Sequence, residues 1–223
     1  MRHNKTFLRF AKLAAGIARN FARFDLPKNA AIPANKRVIV VSNHRSFFDV
    51  MAAFTCFSKL GYSCRTMVFT GYMRHWSPLA KALGGIPTCK ERRQQAEDDA
   101  VEALEQGEIV AMMPEGRLVD KVEWRKDGVG QFRLGISRIA TRGNATVVPM
   151  VMTGTESVWP KGSWLPRFSC LLEPPLIRIR FGEPFELDEE QDHTSNAAFA
   201  AHRVAQEIRR AEEEESVDLL RRV

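Results

Sequence analysis

The spacing of hydrophobic positions along this chain changes period several times, and each change marks an element. Phe7, Phe10, Ala14, Ile17, Phe21 and Phe24 recur three or four residues apart. That period predicts an amphipathic helix over residues 3–24 with these side chains on one face. Asp25-Leu26-Pro27 ends it, and residues 27–36, rich in Pro, Ala and Asn, read as a connection. A continuous apolar run over residues 37–42 predicts a buried strand, followed by a helix to about Leu60. Residues 65–70 read as a strand, residues 74–83 as a helix, and Gly85-Ile86-Pro87 as a turn leading into a short extended piece. Residues 91–106 predict a helix with Ala96, Ala100, Ala103 and Leu104 inward and Gly107 as its stop. Residues 108–113 have the pattern of a buried strand. Val129, Phe132, Ile136 and Ile139 predict a helix over 127–143. Residues 146–153 form a strand pattern in which Pro149 argues for an edge position or a bulge. A loop over 154–175, a half-exposed strand over 176–181 and a charged surface helix over 194–222 complete the chain.

Composition adds boundaries to this outline. A chain of 223 residues, 44% hydrophobic, suits one large domain with an appended helix: residues 1–26 as the helix and residues 27–223 as the main domain. The net charge of +6 is local. Residues 1–28 hold seven basic side chains against Asp25, and the remainder carries 26 basic and 26 acidic residues. No basic stripe crosses the domain, which argues against nucleic acid as a partner. The basic, phenylalanine-bearing first helix has two readings: it lies on an anionic membrane surface, or it packs on its own domain with a solvated basic face. No apolar run reaches the ~18 residues of a membrane span. The first apolar residues are interleaved with Lys and Arg, unlike a secretory signal. Cys56, Cys64, Cys89 and Cys170 form no CxxC pair and no zinc-ligand spacing, so free thiols in a reducing compartment are expected. Trp159, Trp164, Leu165 and Phe168 read either as a membrane-facing lip or as a hydrophobic cover over the core, and the cover is expected.

The candidate chemistry sits at two strand ends. Val41-Ser42-Asn43-His44-Arg45-Ser46-Phe47-Phe48-Asp49 places His44 and Asp49 where a strand turns into a helix. A neutral imidazole accepts a proton near pH 7, and a carboxylate on its other nitrogen fixes the tautomer. Ser46 followed three residues later by Asp49 is also a helix-capping pattern, so both readings of Asp49 stand at this point. Pro114-Glu115-Gly116-Arg117 follows the strand over 108–113. Ligands of open α/β sheets collect outside the carboxyl ends of the strands, so two parallel strands would bring both segments to one rim. Gly116 leaves the backbone open to close approach, and Arg117 suits a phosphate; the alternative is a surface Glu–Arg pair on a turn.

In its order of motifs the chain resembles the glycerolipid acyltransferase family, which includes the lysophosphatidic acid acyltransferases. The resemblance rests on Asn43-His44-x-Ser46-x-x-Asp49, Gly85-Ile86-Pro87 with Lys90, Gly107, Pro114-Glu115-Gly116, Val148-Pro149 and Gly182-Glu183-Pro184, and covers roughly residues 37–185. It implies an α/β fold, an αβα sandwich with a mostly parallel or mixed sheet. It implies acyl transfer from acyl-CoA or acyl carrier protein to a hydroxyl of a lysophospholipid such as 1-acyl-glycerol-3-phosphate. His44 would be the general base and Asp49 its orienting acid. Glu115, Gly116, Arg117, Lys90 and Pro149 would bind substrate, Glu115 orienting the arginine or a glycerol hydroxyl. Backbone N–H groups after Ser46 would serve the oxyanion. Neither metal nor cofactor is implied beyond the acyl donor. A cytoplasmic enzyme attached peripherally to the anionic inner face of the cell membrane is expected. Two departures bear on the acceptor: Arg117 follows Gly116 directly where many members have an intervening Thr, and Lys90 stands where arginine is usual. A hydrolase using the same histidine and a non-catalytic lipid-binding protein are the competing readings.

Overall fold

A computed structural model describes residues 5–29, 32–69 and 84–220; the helix expected over 74–83 lies outside them. In chain order the elements are α1 (Lys5–Phe21), β1 (Arg23–Asp25), β2 (Arg37–Ser42), α2 (Asp49–Leu60), β3 (Cys64–Phe69), β4 (Ile86–Thr88), α3 (Arg93–Glu105), β5 (Ile109–Met112), α4 (Lys121–Asp127), α5 (Gly135–Arg142), β6 (Ala145–Thr153), β7 (Leu176–Phe181) and α6 (His193–Leu220). Among the described residues the sheet has seven strands, in the order β1-β7-β6-β2-β5-β3-β4. β6, β2, β5, β3 and β4 run parallel, while β7 is antiparallel to β6 and parallel to β1.

Alternation along the central strands builds two cores. Val38 and Val40 of β2 point to one face and Ile39 and Val41 to the other, as the two-residue period of a strand requires. The first face is covered by α1 and α2, the second by α3, α5 and α6. This is the three-layer αβα sandwich with a mixed sheet.

The first helix differs from its expected face. Its buried stripe is Phe7, Ala11, Ala14, Ala15 and Ala18, while Ile17 is 49% exposed and Phe24 belongs to β1. Alanines permit close approach to α2, and Phe7 and Phe10 meet Phe54 edge-on at 5.5 and 5.4 Å. β1 pairs with β7 at the sheet edge.

The helix expected over 127–143 forms only over its second half, as α5 (Gly135–Arg142). Val129, Phe132, Ile136 and Ile139 are all buried as the pattern requires, but residues 128–134 are not helical. Gly128 takes φ +83°, and the N–H of Gly130 goes to the Glu115 carboxylate instead of to a helical carbonyl. Pro149 is also not on an edge: β6 lies between β7 and β2 and is buried throughout. The Gly182 N–H donates to the Pro149 carbonyl at 3.0 Å, and the reciprocal bond is the one proline lacks. The irregularity falls on the neighbouring chain. Met150 pairs with Phe181 and Val147 with Phe185, so residues 182–185 contain one extra residue, a bulge.

Candidate active site

β2 ends at Ser42, and the Asn43 side chain continues its ladder. Asn43 Nδ2 donates to the Met152 carbonyl and the Met152 N–H donates to Asn43 Oδ1, both at 2.9 Å. The backbone is thereby free to turn, and His44 leaves the carboxyl end of the strand. Asp49 begins α2 and is fully buried. Its Oδ2 lies 2.9 Å from His44 Nδ1 and accepts the Arg45 and Ser46 N–H groups at 2.8 Å each. One carboxylate oxygen therefore does both jobs left open by the sequence, holding the turn and the imidazole. The positive end of α2 favours its charge. A carboxylate only accepts, so Nδ1 carries the proton and Nε2 keeps a free lone pair. The imidazole is 19% exposed.

Ser46 does not bond the Asp49 N–H through its side chain. Its Oγ accepts from the Phe48 N–H at 2.9 Å and lies 2.6 Å from the Trp159 carbonyl and 3.0 Å from that of Thr155. The N–H groups of Arg45, Ser46, Phe48 and Asp49 are thus all engaged within the turn, which removes them as oxyanion donors.

β5 lies beside β2 and parallel to it, Val41 opposite Met112. After β2 the chain enters α2 on one face; after β5 it passes through α4 to α5 on the other. Adjacent parallel strands whose connections diverge open a crevice at their carboxyl ends. His44 stands on one wall and Glu115 on the other, and the Val119 N–H donates to the His44 carbonyl at 2.9 Å.

Glu115 is 2% exposed, and its Oε1 accepts the Gly130 N–H at 3.0 Å. Burial pushes its carboxyl up to about 7; the Gly130 N–H, the His44 ring and the His44 N–H pull it down, and the Asp49 charge pushes it up. Below about pH 4.5 both folded and unfolded chains hold this proton. As pH rises towards about 7 the unfolded chain has released it and the folded chain has not, so stability falls across that window. The fall is roughly 3 kcal/mol. Glu115→Gln keeps the acceptor and removes the titration, so its stability should not show this decline. Urea midpoints of both proteins at pH 5 and pH 8 check it, and parallel pH dependences would contradict it.

Arg117 pairs with a carboxylate of α4, not with Glu115 of its own turn. Its Nη2 reaches both Glu123 oxygens, at 2.6 and 2.7 Å, and the side chain is 43% exposed. Glu115 is turned inward to Gly130, so it does not orient this arginine. A different cation lies over the turn. Arg133 is exposed; its Nε donates to the Glu115 carbonyl at 3.3 Å and its Nη2 to the Gly116 carbonyl at 3.4 Å. No carboxylate pairs with it among the described residues. Gly116 takes φ +62°, a backbone conformation that favours glycine, while a Cβ there would stand 2.5 Å from Arg133 Nε and push that exposed side chain aside. Lys90 is exposed just past β4, three strand spacings from β2, or about 14 Å across the rim. Pro149 pairs with Val41, one residue before β2 ends, so it lies within the sheet just below the strand end that carries the His44 turn.

Arg45 is the residue sequence reasoning missed most completely. A charge beside a turn reads as solvated, yet Arg45 is 3% exposed. Its Nη1 meets Glu212 of α6 at 3.0 Å, its Nη2 donates to the Gly128 carbonyl at 2.9 Å, and its guanidinium lies 4.2 Å from the centroid of Trp124. Cys56, Cys64 and Cys170 are buried, and burial pushes the Cys56 and Cys64 thiols up to about 12.

The Acyltransferase family model matches residues 23–153, which is more than half the chain and includes both walls of the crevice. The chain belongs to the acyltransferase family. Curated relatives of this chain include a chloroplastic 1-acyl-sn-glycerol-3-phosphate acyltransferase of Brassica napus, 28% identical over 73% of this chain and 47% of its own length. A chloroplastic enzyme of the same description from Arabidopsis thaliana is 28% identical over 56% of this chain and 34% of its own length. The chain thus spans less than half the length of these two relatives. In fold it is similar to the 1-acyl-sn-glycerophosphate acyltransferase PlsC of Thermotoga maritima, with a TM-score of 0.66, 20% identity, and coverage of 92% of this chain and 79% of that one.

Proposed function

We propose that this protein transfers a fatty acyl group from an acyl thioester to a free hydroxyl of a lysophospholipid of the 1-acyl-glycerol-3-phosphate type. The observation that carries the reading is the His44–Asp49 pair at the mouth of the crevice, its Nε2 free to accept a proton. His44 takes the acceptor's hydroxyl proton as that oxygen attacks the thioester carbonyl. The tetrahedral intermediate collapses with cleavage of the C–S bond, and the imidazolium returns the proton to the departing thiolate. The products are an ester and a thiol, with no acyl-enzyme between. Asp49 holds the ring and stabilises the imidazolium. Acyl-CoA or acyl carrier protein supplies the thioester.

The acceptor's phosphate falls to the cations beside Gly116. Arg133 is available as it stands; Arg117 has first to exchange Glu123 for the phosphate. A charge-assisted bond of this kind contributes about 1.5–3 kcal/mol. Arg133→Ala should therefore raise KM for 1-acyl-glycerol-3-phosphate by about 10- to 100-fold with kcat little changed, and Arg117→Ala by less. Steady-state kinetics with a panel of lysophospholipids tests this; equal KM values for acceptors with and without a terminal phosphate would contradict it.

Such substrates reside in bilayers. No helix among the described residues is long and apolar enough to cross a membrane. The outer strip of α1 exposes Leu13 and Ile17 among Arg9, Lys12 and Arg19, and this strip meets an anionic membrane surface in the proposed enzyme. Because the opposite strip is core, Leu13→Glu with Ile17→Glu is the informative change. It should abolish flotation with anionic vesicles and leave the urea midpoint unchanged.

A further inference from the structure

The loop between β6 and β7 departs furthest from ordinary surface composition. Trp164 is 90% exposed, Leu172 88%, Phe168 58% and Leu165 57%, where a cover over the core would have buried them. Adjacent exposed apolar groups on a folded surface mark a contact with something apolar. The loop is held in shape: the Trp159 indole N–H donates to the Ser163 carbonyl at 3.1 Å, the Arg167 N–H to the Val158 carbonyl at 2.8 Å, and Cys170 is buried beneath it.

We infer that residues 159–172 form a lip that enters the headgroup and upper acyl zone of a bilayer containing anionic phospholipid, and so set the active site at the depth of its lipid substrate. Three observations select this occupant. The lip is continuous with α1 through Phe21 and Phe168, whose rings are 6.3 Å apart. Across the two segments, residues 5–24 and 158–172, the charged side chains are all basic: Lys5, Arg9, Lys12, Arg19, Arg23, Arg167 and Lys161, the last paired with Asp120 at 2.8 Å. Anionic headgroups complement such a rim, whereas a second copy of the same surface would oppose basic to basic. The base of the lip is fastened to the catalytic turn, since Ser46 Oγ lies 2.6 Å from the Trp159 carbonyl and Trp159 packs on Phe47 at 5.5 Å. A lysophospholipid at the lip therefore reaches His44 by a short path along the membrane plane.

The inference rests on the proposed lipid substrate, and its test separates the two. Trp164→Glu with Leu172→Glu alters nearly fully exposed side chains, and an unchanged urea midpoint verifies the fold. Binding to vesicles of phosphatidylcholine and phosphatidylglycerol should fall by about tenfold or more, and transfer to long-chain lysophosphatidate in those vesicles should fall with it. Transfer to a short-chain, monomeric lysophosphatidate should be unchanged. Trp164 emission should be quenched by phospholipids brominated along the acyl chain, a signal lost in Trp164→Phe. Wild-type vesicle binding by the double variant, or no quenching of Trp164, would overturn the lip, as would a self-association that the double variant abolishes while vesicle binding persists. Absence of transfer to every acceptor by the wild type would instead sink the proposed reaction, and the binding and quenching results would still decide the lip.

Discussion

His44→Ala is expected to lower kcat for acyl transfer by about 10²- to 10⁴-fold, the usual worth of a positioned general base. That corresponds to roughly 3–5 kcal/mol of barrier. The fold should survive. The imidazole is partly exposed, and Asp49 retains the Arg45 and Ser46 N–H donors that shape the turn. Asp49→Asn should cost kcat comparably by a different route. The amide cannot accept all three bonds now made by Oδ2, so ring and backbone compete for one oxygen. Steady-state kinetics with circular dichroism on each variant checks both. A His44→Ala protein that turns over at the wild-type rate would remove the imidazole from the mechanism.

Arg45→Ala is expected to lower stability by about 3 kcal/mol and to loosen the same turn. The guanidinium joins three elements that are far apart in sequence. Its pair with Glu212 contributes little, because that carboxylate is 45% exposed. The larger part comes from the buried charged bond to the Gly128 carbonyl and from the cation over the Trp124 ring. Lysine lacks the planar fork and should recover only part of the loss. Urea unfolding of Arg45→Ala and Arg45→Lys measures it. A change below about 0.5 kcal/mol, typical of a surface position, would show that the clamp is not tight.

These residues also mark what was legible in the sequence. Period and motif located both walls of the crevice, because β2 and β5 are short apolar runs with their functional groups immediately after them. Parallel pairing at Val41 and Met112 then brought His44 and Glu115 together. The role of Asp49 was legible as two alternatives that proved to be one oxygen serving both. What the sequence left unseen has a common cause: long-range partners that leave no local pattern. The helix over 127–143 breaks because Gly130 serves Glu115, fifteen residues earlier. Pro149 is tolerated in a central strand because its unpaired side faces Gly182 at a bulge. Arg117 turned outward because α4, which the pattern did not reveal, presents Glu123. Arg133 and Arg45 owe their placement to the same unseen path between β5 and β6. The α1 face was misplaced because alanine carries little hydrophobic signal while filling the tightest contact.

The fate of the acyl group tests the central claim most directly. With a labelled acyl thioester and 1-acyl-glycerol-3-phosphate, thiol release should match diacylated product mole for mole and should nearly cease when the acceptor is withheld or His44 is alanine. Label recovered as free fatty acid at a rate indifferent to the acceptor would make this site a hydrolase and contradict the account.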